Sequence, residues 1–271
     1  MTADEVAVQD STFKEACDEG RIAGGLVVPG FTFNVHRFVD NLLMHLEEAG
    51  VLCRWNTTVR RIQTETGGRV SGLLTNSGAI RADHYSLHPG AYGDHELLQG
   101  TPAEERIGGV AGRWLVLPRP ASMRRRGVKI HGDARSESGA SLPVVDLNLT
   151  PRHLDGAEKI IVGGGYVYVG NPPFPMEESA PAFRLIDTEN ERIVTLFLGK
   201  AYRHAVSDGS LARSDATCVR SFSDNDEPLC EQLPTANGGV LTIDGGTNTG
   251  TTTAAPFIAQ SVVERIGKAR N

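Results

Sequence analysis

From Val35 to Ala49 the apolar positions Val35, Phe38, Val39, Leu42, Leu43 and Leu46 recur three and four residues apart. That is the period of one helix face. Asn34 stands where an N-cap belongs and Gly50 lies just past the end, so the pattern predicts an amphipathic helix over 35–49. His36, Arg37, Asp40, Glu47 and Glu48 make up its polar face. Shorter segments follow, broken by glycine and asparagine turns. Val51–Trp55, Thr58–Ile62, Val70–Thr75 and Ile80–Ala82 read as short strands, with turns at Gly67-Gly68 and Asn76–Ala79, which together describe a β-meander. Upstream, Leu26–Pro29 reads as a short strand ending in a turn.

Residues 100–210 change character. Trp114–Leu117, Val128–His131, Pro143–Leu149, Lys159–Gly165 and Tyr166–Gly170 are strand-like, and Phe183–Phe197 after Pro181 is helical. This pattern predicts an antiparallel sheet with one helix. Near the end a short apolar segment (Gly239–Ile243) leads into a glycine- and threonine-rich run. An amphipathic stretch from Phe257 to Ile266 follows it. The fold class expected from these patterns is α/β of the mixed α+β kind.

The chain has 271 residues, 39% hydrophobic and 22% charged, which is ordinary for a folded globular protein. Its net charge of −6 argues against nucleic acid as a partner, because phosphate binding needs a basic face. Cys17, Cys53, Cys218 and Cys230 form no C-x-x-C pair, and the eight histidines show no ligand spacing, so no metal site is expected. There is no 18-residue apolar run and no basic leader, so a cytoplasmic protein without membrane association is expected.

The run Asp244-Gly245-Gly246-Thr247-Asn248-Thr249-Gly250-Thr251 carries the most chemistry. Glycines allow a sharp bend and close approach of a ligand to the backbone. The free N–H groups of a helix start then face an electron-rich group. A plain strand-to-helix connection with a threonine cap explains the same residues equally well.

Three further segments resemble, in the same chain order, the FAD-dependent D-amino acid oxidase and glycine/sarcosine oxidase superfamily. Ala82-Asp83 with Pro89-Gly90-Ala91-Tyr92-Gly93 is similar to that family's Ala-Asp, strand, Ala-Gly-Ala-Trp-Ser. The strand Ile160–Tyr166 resembles one that borders its substrate pocket. Cys218-Val219-Arg220 through Pro228 resembles its Arg-Pro-x-Thr-x-Asp-x-x-Pro segment, and Gly245–Pro256 its last glycine-rich loop.

The resemblance implies FAD as cofactor and a hydride-transfer oxidation of an amino acid or secondary amine to an imine. It implies that the loop covers the pyrimidine end of the flavin through Gly246, Asn248, Thr249, Gly250 and Thr251. Gly90 and a backbone contact at Val59 would serve the rest of the cofactor. Arg220 would clamp the substrate carboxylate, or pair structurally with Asp224 or Asp226. Tyr166 and Tyr168 share one strand face and would line the pocket, or be ordinary strand tyrosines. Residues 35–98 and 211–271 would belong to the FAD-binding domain, and 1–34 and 99–210 to the substrate domain. His88-Pro89 stands where the family has a small Ala-Ala pair.

The family also opens with a strand, a Gly-x-Gly-x-x-Gly turn and a helix that cradle the FAD pyrophosphate. The sequence holds no such unit: Gly163-Gly164-Gly165 runs into Tyr-Val-Tyr-Val, which continues a strand. The chain looks like the family without its first 100–150 residues or so, about a domain's worth. The alternative is therefore a truncated, non-catalytic scaffold that needs a second chain to supply the pyrophosphate-binding half.

Overall fold

The computed structural model describes residues 1–30, 33–91, 96–132, 145–170, 181–199, 202, 212–225, 227–246 and 251–269. Its α-helices are α1 (Ala3–Gln9), α2 (Lys14–Asp18), α3 (Val35–Glu48), α4 (Pro181–Leu198) and α5 (Thr251–Ala269). Its strands are β1 (Val59–Thr64), β2 (Val70–Thr75), β3 (Gly78–Ile80), β4 (Tyr85–Leu87), β5 (Ile107–Pro118) and β6 (Val128–Gly132), then β7 (Val145–Leu154), β8 (Ala157–Gly170), β9 (Ala212–Ser223), β10 (Leu229–Pro234) and β11 (Val240–Gly245). They form three sheets, ordered β1-β2-β3, β10-β11-β4 and β6-β7-β8-β5-β9. The mixed α and β class read from the sequence is the one observed.

Two compact units divide the chain. One comprises residues 1–46, 111–167 and 177–218, and the other 47–110, 168–176 and 219–271. The chain passes from one to the other inside β5, β8 and β9. In the first unit, Leu115 and Leu117 of β5, Leu147 and Leu149 of β7, and Ile160 and Val162 of β8 form a buried cluster with Phe13, Ile193, Val194 and Phe197. In the second, Ile62, Val70 and Leu73 of the meander pack with Tyr85, Leu87, Leu241 and Ile243.

Tyr202 closes the first core: it is buried, and its hydroxyl donates to the Pro118 carbonyl at 2.8 Å. Burial pushes its phenol up to about 12, so the fold prefers the neutral form. An unfolded tyrosine ionises near pH 10. Below that pH the contribution to stability is complete, and between pH 10 and 12 it is lost as the unfolded state ionises first. Tyr202→Phe should cost about 1–2 kcal/mol near neutrality, because the Pro118 carbonyl loses its donor. It should also flatten the alkaline decline of the melting temperature. An unchanged decline would assign that decline to other groups.

Local signals set many boundaries. Asn34 Oδ1 accepts from Arg37 N at 3.1 Å, and Gly50 adopts φ +80° just past the end of α3. β2 occupies Val70–Thr75, the segment read as a strand between two turns. Other segments differ from expectation. Gly163–Tyr166 lie inside β8, one strand where two were expected. α5 begins at Thr251 rather than Phe257, taking Pro256 into its second turn. Residues 26–29 and 51–55 form no strand, although their composition favours one. A strand holds its shape through ladder bonds to a neighbour, and the meander begins only where β1 finds β2.

Candidate active site

The centre of the second unit is a parallel strand pair. Leu241, Thr242 and Ile243 of β11 lie opposite Tyr85, Ser86 and Leu87 of β4. β11 is buried along its whole length, as a strand covered on both faces must be. Past the carboxyl end of β4 comes Gly90 at φ +59°, and past that of β11 comes Gly246 at φ +67°. Side-chain-bearing residues rarely take this left-handed conformation, so both turns depend on glycine. Crevices beyond the carboxyl ends of parallel strands are where open α/β sheets hold ligands.

Close packing beside these turns depends on missing side chains. A Cβ at Gly246 would lie 2.8 Å from both the Cβ and the backbone nitrogen of Ser223, so the end of β9 sits against this turn. A Cβ at Gly245 would come within 2.9 Å of the Ile107 side chain at the start of β5. Next along β5, Gly108 lies under the Tyr168 ring, which a Cβ would meet at 2.8 Å. Tyr168 as a whole is 68% exposed.

Gly90, Gly246 and the helix start at Thr251 gather around the β4–β11 pair. Asn248, Thr249 and Gly250 lie outside the described residues, as do Tyr92 and Gly93. Val59 opens β1, in a different sheet of the same unit, and packs partly against that unit's core. Arg220 is half-buried on β9, three positions before Ser223, and strand alternation puts it on the opposite face from Ser223. Asp224, one of its two possible ion-pair partners, instead pairs with Arg106 at 3.4 Å, and Arg106 also bonds Glu231. The other, Asp226, lies outside the described residues. Tyr166 is on β8, and its side chain lies outside the described residues. His88 is exposed, with its Nε2 2.8 Å from Ser86 Oγ, so the ring folds back along its own strand.

Of the two turns Gly90 has open space where a Cβ would stand, while Gly246 is closed on that side by Ser223. As further donors, these features offer a flavin the N–H groups of the helix start at Thr251. They do not provide a pyrophosphate cradle, since Gly163–Gly165 sit within a strand. The sequence reading missed Gly108 and Ser223, whose closeness to Tyr168 and Gly246 is tertiary. It also missed Asp244 and Arg265, although a carboxylate ending an apolar strand was a visible signal.

The chain is 40% identical over 73 residues to a D-amino acid dehydrogenase of Bradyrhizobium diazoefficiens, a stretch that is 27% of this chain and 17% of that protein. A D-amino acid dehydrogenase of Paramagnetospirillum magneticum is 36% identical over 81 residues, 30% of this chain and 18% of its own. Glycine oxidase from Bacillus cereus ATCC 14579 shares the fold with a TM-score of 0.63 at 16% identity, over 99% of this chain and 65% of that one. Glycine oxidase from Geobacillus kaustophilus gives a TM-score of 0.64 at 16% identity, over 99% of this chain and 62% of its own. The chain thus spans under two thirds of the length of these relatives. Among the described residues no helix is long and apolar enough to cross a membrane. Residues 3–265 match the FAD dependent oxidoreductase (DAO) family, and the chain belongs to that family.

Proposed function

We propose that this chain forms the substrate-facing and flavin-covering part of an oxidoreductase that converts the C–N bond of an amino acid or secondary amine to an imine. The observation that carries this reading is the pair of glycine turns, Gly90 and Gly246, at adjacent carboxyl ends of β4 and β11. Family membership and the likeness to D-amino acid dehydrogenases support it. Bound FAD would supply the acceptor for the hydride lost from the substrate carbon.

The chain's own residues would orient and stabilise. The Gly246–Thr251 turn, with the amide groups that open α5, would donate to the electron-rich edge of the ring. Val59 would offer its backbone to the adenine end. The Arg220 guanidinium would hold a substrate carboxylate in two parallel hydrogen bonds. Tyr166 and Tyr168 would line the pocket. In this reading residues 35–98 and 211–271 belong to the flavin-binding part, and 1–34 and 99–210 to the substrate part.

One observation favours the second reading, in which another chain supplies the pyrophosphate-binding half. α3 buries none of its residues, and Val35, Phe38, Val39, Leu42 and Leu46 of its apolar face are exposed. In the segment that follows, Leu52 is 75% and Trp55 64% exposed. An amphipathic helix with an uncovered apolar face calls for a further layer, which the second chain would supply.

FAD titration of the purified 271-residue chain tests both readings. The chain alone should be colourless or lose FAD on gel filtration, because its sequence holds no Gly-x-Gly-x-x-Gly turn to cradle the pyrophosphate. Stoichiometric yellow flavin retained through purification would remove the case for a second chain. In any flavin-loaded form, an amino acid or secondary amine should bleach the flavin band without oxygen. Failure of every such substrate to do so would reject the oxidoreductase reading.

A further inference from the structure

The sheet of the first unit has a covered face and an open one. Leu115, Leu117, Leu147, Leu149, Ile160 and Val162 face the buried cluster that α2 and α4 complete. Strand alternation sends Trp114, Asn148 and Gly163 to the other side. Asn148 stands directly opposite Gly163 in the β7–β8 ladder and is exposed. From β5, the strand on the other flank of β8, Trp114 reaches over Gly163. A Cβ at Gly163 would meet its Cδ1 at 3.3 Å and its Nε1 at 3.4 Å. The indole therefore lies across a strand that has no side chain at that point, and it stays 44% exposed. Val116 and Ile161, two positions away along β5 and β8, continue the same face and are half-buried.

A tryptophan laid on an open sheet face keeps apolar area in water that a core position would bury. Such a ring offers a flat group a stacking surface, and the Asn148 amide beside it offers both a donor and an acceptor. The described charged side chains of this face in β6, β7 and β8 are Lys129, Arg152 and Lys159; the side chain of Asp146 lies outside the described residues. A face with this excess of cations disfavours a cationic ligand and suits one that carries a carboxylate.

We propose that this face takes the side chain of the amino-acid substrate, an aromatic or branched apolar group lying on Trp114 with Val116 and Ile161. Trp114 is then a specificity-determining residue that favours such amino acids over glycine. The choice of an amino acid rests on the oxidoreductase reading above; the aromatic platform does not.

Trp55 and Trp114 are the two tryptophans of the chain, so Trp55→Phe leaves Trp114 as the sole reporter. In that protein D- or L-phenylalanine should change the tryptophan emission saturably, and glycine should leave it unchanged. Calorimetry on the 271-residue chain should show phenylalanine bound about tenfold more weakly after Trp114→Ala, the scale of one aromatic contact. If Trp114→Ala does not fold, Asn148→Ala changes an exposed side chain only and should weaken phenylalanine by a smaller factor. No saturable emission change, unaltered affinity in these variants, or glycine bound as tightly as phenylalanine would overturn the proposal.

Flavin bleaching in a loaded form separates this site from the reading it rests on. Bleaching by glycine and phenylalanine alike, unaffected by Trp114→Ala, would reject the specificity role and leave the oxidoreductase standing. Phenylalanine bound at Trp114, with no amino acid or secondary amine able to bleach the flavin, would reject the oxidoreductase reading and leave the binding face standing.

Discussion

Replacing Arg220 with alanine in a flavin-loaded form should lower kcat/KM for an amino-acid substrate by about 30- to 5000-fold. The range follows from the roughly 2–5 kcal/mol lost when one partner of a charge-assisted, partly desolvated pair is truncated. Arg220→Lys should recover only part of the loss, because an ammonium is a point charge and cannot reproduce the planar fork. Arg220 is half-buried on β9, and the candidate partner Asp224 is already engaged by Arg106. A pocket role predicts a large kinetic effect with a small change in melting temperature. If Arg220→Ala mainly lowers the melting temperature and leaves amine oxidation intact, the arginine is structural and the clamp assignment fails.

The largest stability effect should come from the first unit, far along the chain from any glycine turn. Arg113 Nη1 and Asp187 Oδ2 are 3.0 Å apart, with both side chains 6% exposed. Asn190 adds a bond from its Nδ2 to the Arg113 carbonyl at 3.1 Å, joining α4 to β5 a second time. Asp187→Ala would leave the guanidinium buried without this counter-charge, at a cost of about 3–5 kcal/mol. For a chain of this size that corresponds to a fall of roughly 6–20 °C in Tm. Asp187→Asn should cost less, since it keeps a hydrogen-bond acceptor. The paired replacement Arg113→Met with Asp187→Leu should recover much of the stability, because the desolvation cost disappears with the charges. A Tm change under about 2 °C for Asp187→Ala would show that the pair contributes little to the fold.

Legibility in the sequence followed the range of the interaction that decides each feature. The three-and-four spacing from Val35 to Leu46 was enough for α3, and the Asn34 cap and Gly50 marked its ends. The Gly67-Gly68 and Asn76–Ala79 turns on either side of Val70–Thr75 were enough for β2. Leu26–Pro29 and Val51–Trp55 carry the same kind of signal and form no strand, since ladder bonds come from a partner and not from propensity. The amphipathic stretch was read from Phe257, yet α5 starts at Thr251 and runs through Pro256: one lost backbone bond is tolerated near a helix start. The flanking apolar strand and the order of the glycine-bearing segments made the family legible before any coordinate.

The sequence by itself determined the helix whose periodicity repeats over several turns, the strands bracketed by turn residues, and membership of the oxidoreductase family. Tertiary structure alone decided which distant groups meet. It brought Gly246 against Ser223, Gly108 under Tyr168, Asp244 to Arg265 and Arg113 to Asp187. It also left the apolar face of α3 uncovered. The physical reason is that helix and strand periods are set by neighbours a few residues apart. Burial of a charge or close approach at a glycine is set by whatever the fold places beside it, and residue order carries no direct record of that.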